Sequence, residues 1–460
     1  MFNVSLSALS RVSLSVLAAL SFTLTSCNKD LEETRPAAPD GSAAKSNART
    51  GGVVGINVLL KTAPTPALLA ELGTYGNVAH VLPEINAVIL RAQADQLAAI
   101  RQLAYVQQAA ADSQMKIGPV ETAAATSFAG GLSTWDLDAI NVTEQGQGRV
   151  VTADGTGVFV GVLDTGLLDN WRQYFSPERI ATQYAKSFGG SDFGTTAEQP
   201  NKWEHDQDGH GTHVTSTILG YNFNGVAVNG VAPKATVIPV KVLNQNGTGS
   251  SSAVARGIVY FAQLKTGPLK NVPLVVNMSL GGDDFDGVIE AAVNYAISQG
   301  VILVAAAGNE GAAGMSYPAA FAPVISVGSV TWNKQAQVPN WWFASDVAEP
   351  TDVNDFRPSS YSSRALPGQD LDVTAPGNRI YGPYQTNNGA VGYAVMSGTS
   401  MASPHVAGIV ALLVQQNPGL GQQQVEALLE NAAVDMAPAG KDNATGAGFI
   451  TADKALGLVQ

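Results

Sequence analysis

Apolar positions near the start of the chain change period several times. Gly55 to Lys61 carries the β-branched and aliphatic run of a strand, and Pro66 to Leu72, with proline in its first turn, has a helical pattern. Val78–Leu82 and Ala87–Arg91 are strand-like. Gln93–Leu103 then sets Leu97, Ile100 and Leu103 at helical spacing, and Tyr105–Ala109 returns to extended character. The order β-α-β-β-α-β is the split βαβ arrangement, a small α+β unit. Ile117–Thr134, rich in Gly, Ala and Ser, is expected to be a linker.

Beyond Trp135 near-continuous apolar runs replace alternation: Val158–Leu163, Val237–Val242, Leu274–Met278, Val301–Ala305 and Val324–Val327. Helical patterns over Ser251–Leu264 and Val288–Ser298 separate them. Strands buried on both faces by crossover helices read this way, so the expected core is α/β, with a doubly wound, mostly parallel sheet. In that architecture chemistry collects at the carboxyl ends of strands.

At the N-terminus, Val12–Leu24 follows Arg11 as an apolar stretch of about 13 residues, short of the roughly 20 that span a bilayer. It reads as a signal peptide. Leu24-Thr25-Ser26-Cys27 directly after it resembles the lipobox of bacterial lipoproteins, in which the cysteine is acylated. The chain would then be exported, as a membrane lipoprotein or at the cell surface.

The 460 residues leave room for two or three domains, and 45% hydrophobic content with 48 Gly and 23 Pro describes a globular, turn-rich protein. A net charge of -12 excludes a sequence-independent grip on nucleic acid. Cys27 is the one cysteine, which excludes internal disulfides and cysteine-based metal clusters.

Three motifs sit where strand ends are expected: Asp164-Thr165-Gly166, Asp208-Gly209-His210-Gly211-Thr212-His213, and Gly398-Thr399-Ser400-Met401-Ala402-Ser403-Pro404-His405. A serine hydroxyl needs a base to take its proton, and the base needs a carboxylate to fix its tautomer, so serine, histidine and aspartate together point to nucleophilic catalysis. His405, five residues after Ser400, falls about 140° around a helix and points away as a packed residue. His213 shares a helix face with His210, and periodicity does not separate them. His205, Asp206 and Asp208 read as solvated loop residues, Asp208 also as a pocket-lining group.

With these motifs the chain, from about Trp135 to Leu458, resembles the subtilisin-like serine proteases. Gly230-Val231-Ala232-Pro233, Ser279-Leu280-Gly281-Gly282, Ala307-Gly308-Asn309, Thr374-Ala375-Pro376-Gly377 and Gly446-Ala447-Gly448 extend the match in order. The resemblance implies that Asp164 orients, His210 is the base and then acid, and Ser400 attacks; it assigns His210 over His213. Asn309 would aim its carboxamide at the developing oxyanion. Ser279, Leu280 and Gly281 would pair with an extended peptide opposite Gly247 and Gly249, and Ala306, Ala307, Gly308 and Ser316 would line the pocket for the P1 residue, apolar or medium in size. Glu310 at the rim would either accommodate a basic one or stand as an exposed acidic loop residue.

The same resemblance divides the chain into a lipoprotein-type signal peptide and lipobox cysteine (1–27), a linker (28–52), an inhibitory pro-segment (53–116), a linker with the processing site (117–134) and a catalytic domain (135–460). The expected partners are protein or peptide substrates, the chain's own pro-segment as intramolecular inhibitor, and the membrane through a lipid on Cys27 before processing. No cofactor is expected for the chemistry. A structural Ca2+ is expected in the loop Asn222–Val228 with Asn224 as side-chain ligand, and Pro339–Pro358 is expected to be a packed surface insertion. Thr215 and Ser216 depart from the family's usual Ala-Gly pair. The alternative reading is a catalytically silent surface binding protein on the same fold.

Overall fold

The computed structural model describes residues 52–118, 121–124, 133–144, 148–189, 201–335, 337, 347, 355–385, 391–436 and 438–459. The expected signal peptide, Cys27 and nearly all of the 339–358 insertion lie outside them. The described residues belong to one compact unit, Arg49–Gln460.

The first elements follow the split βαβ order: β1 (Val53–Leu60), α1 (Pro66–Leu72), β2 (Gly76–Leu82), β3 (Ala87–Gln93), α2 (Gln96–Ile100) and β4 (Val106–Ala111). Their antiparallel sheet runs β2-β3-β1-β4. Thr65 Oγ1 caps α1 by accepting from the Leu68 N–H, ahead of Pro66. Alternation gives this sheet two apolar faces. Ile56, Val58, Leu60, Val88 and Leu90 close a private core with Leu72 and Ile100, while Leu59, Ala87 and Ile89 face a second, larger core. Helix α2 is shorter than the expected Gln93–Leu103, because Gln93 stays paired with Val53 in the sheet.

Next come β5 (Gln114–Lys116), β6 (Glu121–Ala124), α3 (Trp135–Ala139) and the short hairpin β7 (Thr143–Glu144) and β8 (Gly148–Arg149). The expected linker 117–134 thus contains a strand. It forms because a sheet edge far along the chain supplies its hydrogen bonds, a partner that local composition does not show.

The main body follows as β9 (Phe159–Asp164), β10 (Lys186–Ser187), α4 (His210–Leu219), β11 (Gly220–Phe223), β12 (Val226–Asn229), β13 (Thr236–Lys241), β14 (Thr248–Ser250), α5 (Ser251–Thr266), β15 (Leu274–Met278) and α6 (Gly287–Ser298). It closes with β16 (Ile302–Ala306), β17 (Ile325–Trp332), β18 (Phe356–Pro358), β19 (Val373–Pro376), β20 (Ile380–Gln385), β21 (Val391–Ser397), α7 (Thr399–Gln416), α8 (Gln422–Ala432) and α9 (Ala452–Gly457).

The large sheet runs β10-β13-β9-β15-β16-β17-β18, with β19 also paired to β17. All pairs are parallel except β17 with β18. From β9 the chain first adds β13 on one side and then β15 on the other, so the order reverses at β9. Its carboxyl end is a topological switch point. Val160, Val162 and Val304 face a core completed by Val214 of α4 and Val406 and Val410 of α7. Leu163, Ile238 and Leu303 face the other, with Ile258 and Phe261 of α5 and Val293 of α6. The small sheet lays Leu59, Ala87 and Ile89 into this second core, so its apolar face is buried by α5 and α6.

Candidate active site

Asp164 is the last residue of β9 at the switch point, and His210 is the first of α4. Gly209, with φ of 96°, turns the chain into that helix in a conformation that suits glycine. The Asp164 carboxylate lies 2.8 and 3.0 Å from His210 Nδ1, and both side chains are fully buried. A carboxylate on Nδ1 selects the tautomer with its proton there, which leaves Nε2 as an acceptor. Among the described residues Nε2 has no hydrogen-bond partner. Burial alone would lower the imidazole pKa; the charge and hydrogen bond of Asp164, joined by Asp208 and Asp206, outweigh it and hold the group above its ordinary 6.5.

Asp206, expected in a solvated loop, is buried behind this pair. Its Oδ2 accepts from Thr165 Oγ1 at 2.8 Å and from the Gly209 N–H at 2.9 Å, while Thr165 Oγ1 accepts from the Gly211 N–H at 2.9 Å. The three bonds tie the strand end carrying Asp164 to the helix start carrying His210. Burial pushes Asp206 up to about 6, opposed by the nearby Lys241 ammonium. The readable signal was its place three residues before the helix-opening Gly209, where a carboxylate caps orphan N–H groups. Asp208 is half-buried and its Oδ1 accepts from the His210 N–H; His205 is exposed and pairs with Asp169.

Ser400 occupies the first turn of α7 and is buried. Pro404, four residues on, has no N–H to give the Ser400 carbonyl. Ser279 Oγ fills that vacancy, donating to Ser400 O at 2.8 Å, and Ser400 Oγ donates to Ser279 O at 3.2 Å. Asn277 extends the clamp, giving its amide to Ser279 Oγ and accepting from Ser403 Oγ. The Oδ1 of Asn309 accepts from both the N–H and the Oγ1 of Thr399 at 2.9 Å, which turns its Nδ2 into the cleft beside Gly118. His213 and His405 are structural in their contacts: His213 Nε2 meets Ile380 O, with its pKa pushed down to about 3 by burial, and His405 bridges Met401 O and Asp136.

The cleft walls converge on the chain's own backbone. Thr248–Ser250 pairs antiparallel with Gln114–Lys116, Gly249 lying opposite Met115. Lys116 and Gly281 exchange both backbone hydrogen bonds at 2.8 and 2.9 Å, and the Ile117 N–H donates to Gly247 O at 3.0 Å. Beyond Ile117, Gly118 enters a narrow pocket lined by Leu280, Gly281, Ala306, Gly308, Asn309, Glu310, Ser316 and Ser400. Ala307 lies behind this wall: alternation turns it into the core, and its N–H and carbonyl are spent on Val327 and Ser316. Glu310 was not among the residues first placed in the pocket wall. Its Oε2 accepts from Ser316 Oγ and Ser363 Oγ, each at 3.2 Å, which holds a carboxylate inside the pocket.

Asn224 sits in the hairpin between β11 and β12. With φ of 47° at Asn224 and 93° at Gly225, the two residues make the tight turn that Asn-Gly favours. The Asn222 carboxamide is engaged at both ends, by the Gly225 N–H and Gln173 O. No carboxylate stands among residues 220–229, and the outward-facing Asn222 carbonyl accepts from the Tyr393 hydroxyl at 3.0 Å. This is not the oxygen cage that calcium requires, so the residues do not fit the ion expected there. Asp370, Asp372 and Glu430 converge elsewhere, but the Lys441 ammonium already lies among them at 2.5 to 3.7 Å.

A buried Asp–His pair at the switch point of a parallel sheet, together with a serine on the first turn of a buried helix, is the construction of a serine hydrolase. The subtilase family matches residues 155–448, and the chain belongs to that family. The thermostable alkaline protease of Halalkalibacterium halodurans is 34% identical over 322 residues, 70% of this chain and 73% of that one. Subtilisin Savinase of Lederbergia lenta is 36% identical over 301 residues, 65% of this chain and 91% of its own. Fervidolysin from Fervidobacterium pennivorans shares the fold at a TM-score of 0.64 and 23% identity, over 88% of this chain and 61% of its own. Sphericase, 31% identical, superposes with a TM-score of 0.54 over 69% of this chain and 97% of its own.

Proposed function

We propose that the chain is a serine endopeptidase that hydrolyses peptide bonds through an acyl-enzyme on Ser400. The observation that supports this reading is the fully buried Asp164–His210 pair, with Ser400 and the cleft-facing amide of Asn309 lining one pocket at the end of a groove that already binds extended backbone. The Ser400 hydroxyl would exchange its bond to Ser279 O for one to His210 Nε2. Oγ then bonds to the substrate carbonyl carbon as its proton passes to Nε2, the C–N bond breaks, and the proton leaves with the amine. Water, activated by the same imidazole, releases the acid. The oxyanion would take hydrogen bonds from Asn309 Nδ2 and the Ser400 N–H at the positive end of α7. Subtilase chemistry needs no cofactor.

Gly247, Gly249 and Ser279–Gly281 would pair with substrate backbone, and Ala306, Gly308 and Ser316 would make a shallow pocket for a small or medium P1 side chain. The Glu310 carboxylate in that wall would also receive a basic one. Residues 53–116 serve in this reading as an inhibitory pro-segment, with 117–134 carrying the processing site and 135–460 the catalytic domain. Residues 1–27 export the chain and present Cys27 for acylation, followed by the linker 28–52. Lipid on Cys27 would therefore anchor the unprocessed form. A fluorophosphonate should label wild type and not Ser400→Ala, and wild type should cleave a denatured protein. Absence of both activities in wild type freed of its N-terminal segment would favour a silent binding protein.

A further inference from the structure

The chain's own backbone lies along the cleft on both sides of Ser400. On the N-terminal side Gln114–Lys116 is sandwiched between Thr248–Ser250 and Gly281, and Ile117 bonds to Gly247. On the C-terminal side Glu121–Ala124 pairs antiparallel with Ser397–Ala394 of β21, the strand that ends three positions before the nucleophile. Two paired arms thus flank the reactive serine, in the polarity of a bound substrate. Gly118 lines one pocket with Asn309 and Ser400, and a Cβ placed on it would collide with the Asn309 amide. In the sequence the next residue is Pro119.

We propose that the segment holding Gln114–Gly118 and Glu121–Ala124 is a two-sided, substrate-like strap that sets the Gly118 carbonyl at the reactive position, and that the Gly-Pro sequence beginning there keeps the enzyme from cutting it. This rests on Ser400 being the nucleophile.

Three properties of the bond oppose cleavage while favouring occupancy. Acylation would join Ser400 Oγ to the Gly118 carbonyl carbon, break its bond to the Pro119 nitrogen and pass the His210 proton to that nitrogen. Proline's nitrogen carries a ring carbon in place of hydrogen, which crowds the approach of the imidazole. Glycine at P1 has no side chain to place in the pocket, so the binding interactions that strengthen in the transition state are lost while strand pairing is kept. A residue before proline is confined to extended conformations, which are those of a paired strand, so the ordering cost of a flexible glycine is reduced. Removal of the strap then requires a cut at another bond or by another molecule.

The test uses the full-length chain as wild type, Pro119→Ala, Pro119→Ser and Ser400→Ala, with fragment ends read by intact mass. Wild type should give no fragment ending at Gly118. Both Pro119 variants should be cut after Gly118, and combining either with Ser400→Ala should abolish the cut. Lys116→Pro, which removes the N–H given to Gly281, should label with fluorophosphonate at least about tenfold faster than wild type as the arm loosens. A wild-type fragment beginning at Pro119 would overturn the proposal. So would intact Gly118–residue 119 bonds in both variants while Lys116→Pro labels and cleaves casein, a result that leaves the nucleophile reading standing. If no variant labels at Ser400, that reading falls and the strap proposal with it.

Discussion

Asp112 caps a helix that is not its own: its Oδ1 accepts from the Ser252 N–H at 2.9 Å and its Oδ2 from Ser252 Oγ at 2.7 Å, at the start of α5. Asn57 of β1 and Ser251 join the same buried group, which reaches Asp286, the cap of α6. Two helix N-termini of the main body thereby meet two residues of the small sheet's end. Loss of a cap costs about 0.5 to 2 kcal/mol. Asp112→Ala should therefore raise the rate of Ser400 labelling in the full-length chain by roughly 2- to 30-fold. An unchanged rate would separate the cap from the hold on the cleft.

Asn309→Ala should lower kcat by about 10² to 10³ and leave KM nearly unchanged, because its hydrogen bond strengthens as the oxyanion forms. Steady-state kinetics on a peptide substrate check this. A rise in KM at constant kcat would mean that Asn309 binds the ground state equally well.

His210 acts as a base only when neutral, so a raised pKa means that activity is lost as pH falls through a value above 6.5. Asp208 is one of the charges that raise it. Asp208→Asn should move the acid limb of the kcat/KM profile to lower pH. A limb that stays in place, or moves up, contradicts this electrostatic role.

Asp372 carries the clearest link between pH and stability. Burial pushes its carboxyl up to about 7, although Ser326 donates both its N–H and its hydroxyl to Oδ2. The folded state binds the proton more tightly than the unfolded chain, whose ordinary value is 3.8. Its contribution is complete below 3.8 and is lost as pH rises through about 7, on the order of a few kcal/mol at most. Asp372→Asn should flatten the fall in Tm over that window. A slope equal to wild type would remove Asp372 from the account.

Much of this was legible where the physics is local. Leu274–Met278 is buried on both faces, apolar but for Asn277, and is β15 residue for residue, and the helical period over Val288–Ser298 is α6 with one residue added. Of the three chemistry-bearing motifs, the first ends strand β9 with Asp164, while the other two open helices α4 and α7 with His210 and Ser400. What was not legible depends on partners distant in sequence. Glu121–Ala124 is a strand only because Ser397–Ala394 offers an edge, and Asp206 looks like any loop carboxylate until Thr165 and Gly209 close over it. The loop at Asn224 resembled an ion site, yet its Asn-Gly pair has a sufficient reason in the turn it makes.

Helix α7 is buried from Thr399 to Val414, touching the sheet along its length, and Ser400 stands on its first turn. The nucleophile therefore has no hinge of its own: withdrawing it means pulling out the centre of the hydrophobic core. Local fraying, which silences many enzymes well below their melting point, has no purchase here. Heat should take catalytic competence and tertiary structure together, so that the half-life of activity at a given temperature reports the unfolding rate of the whole body.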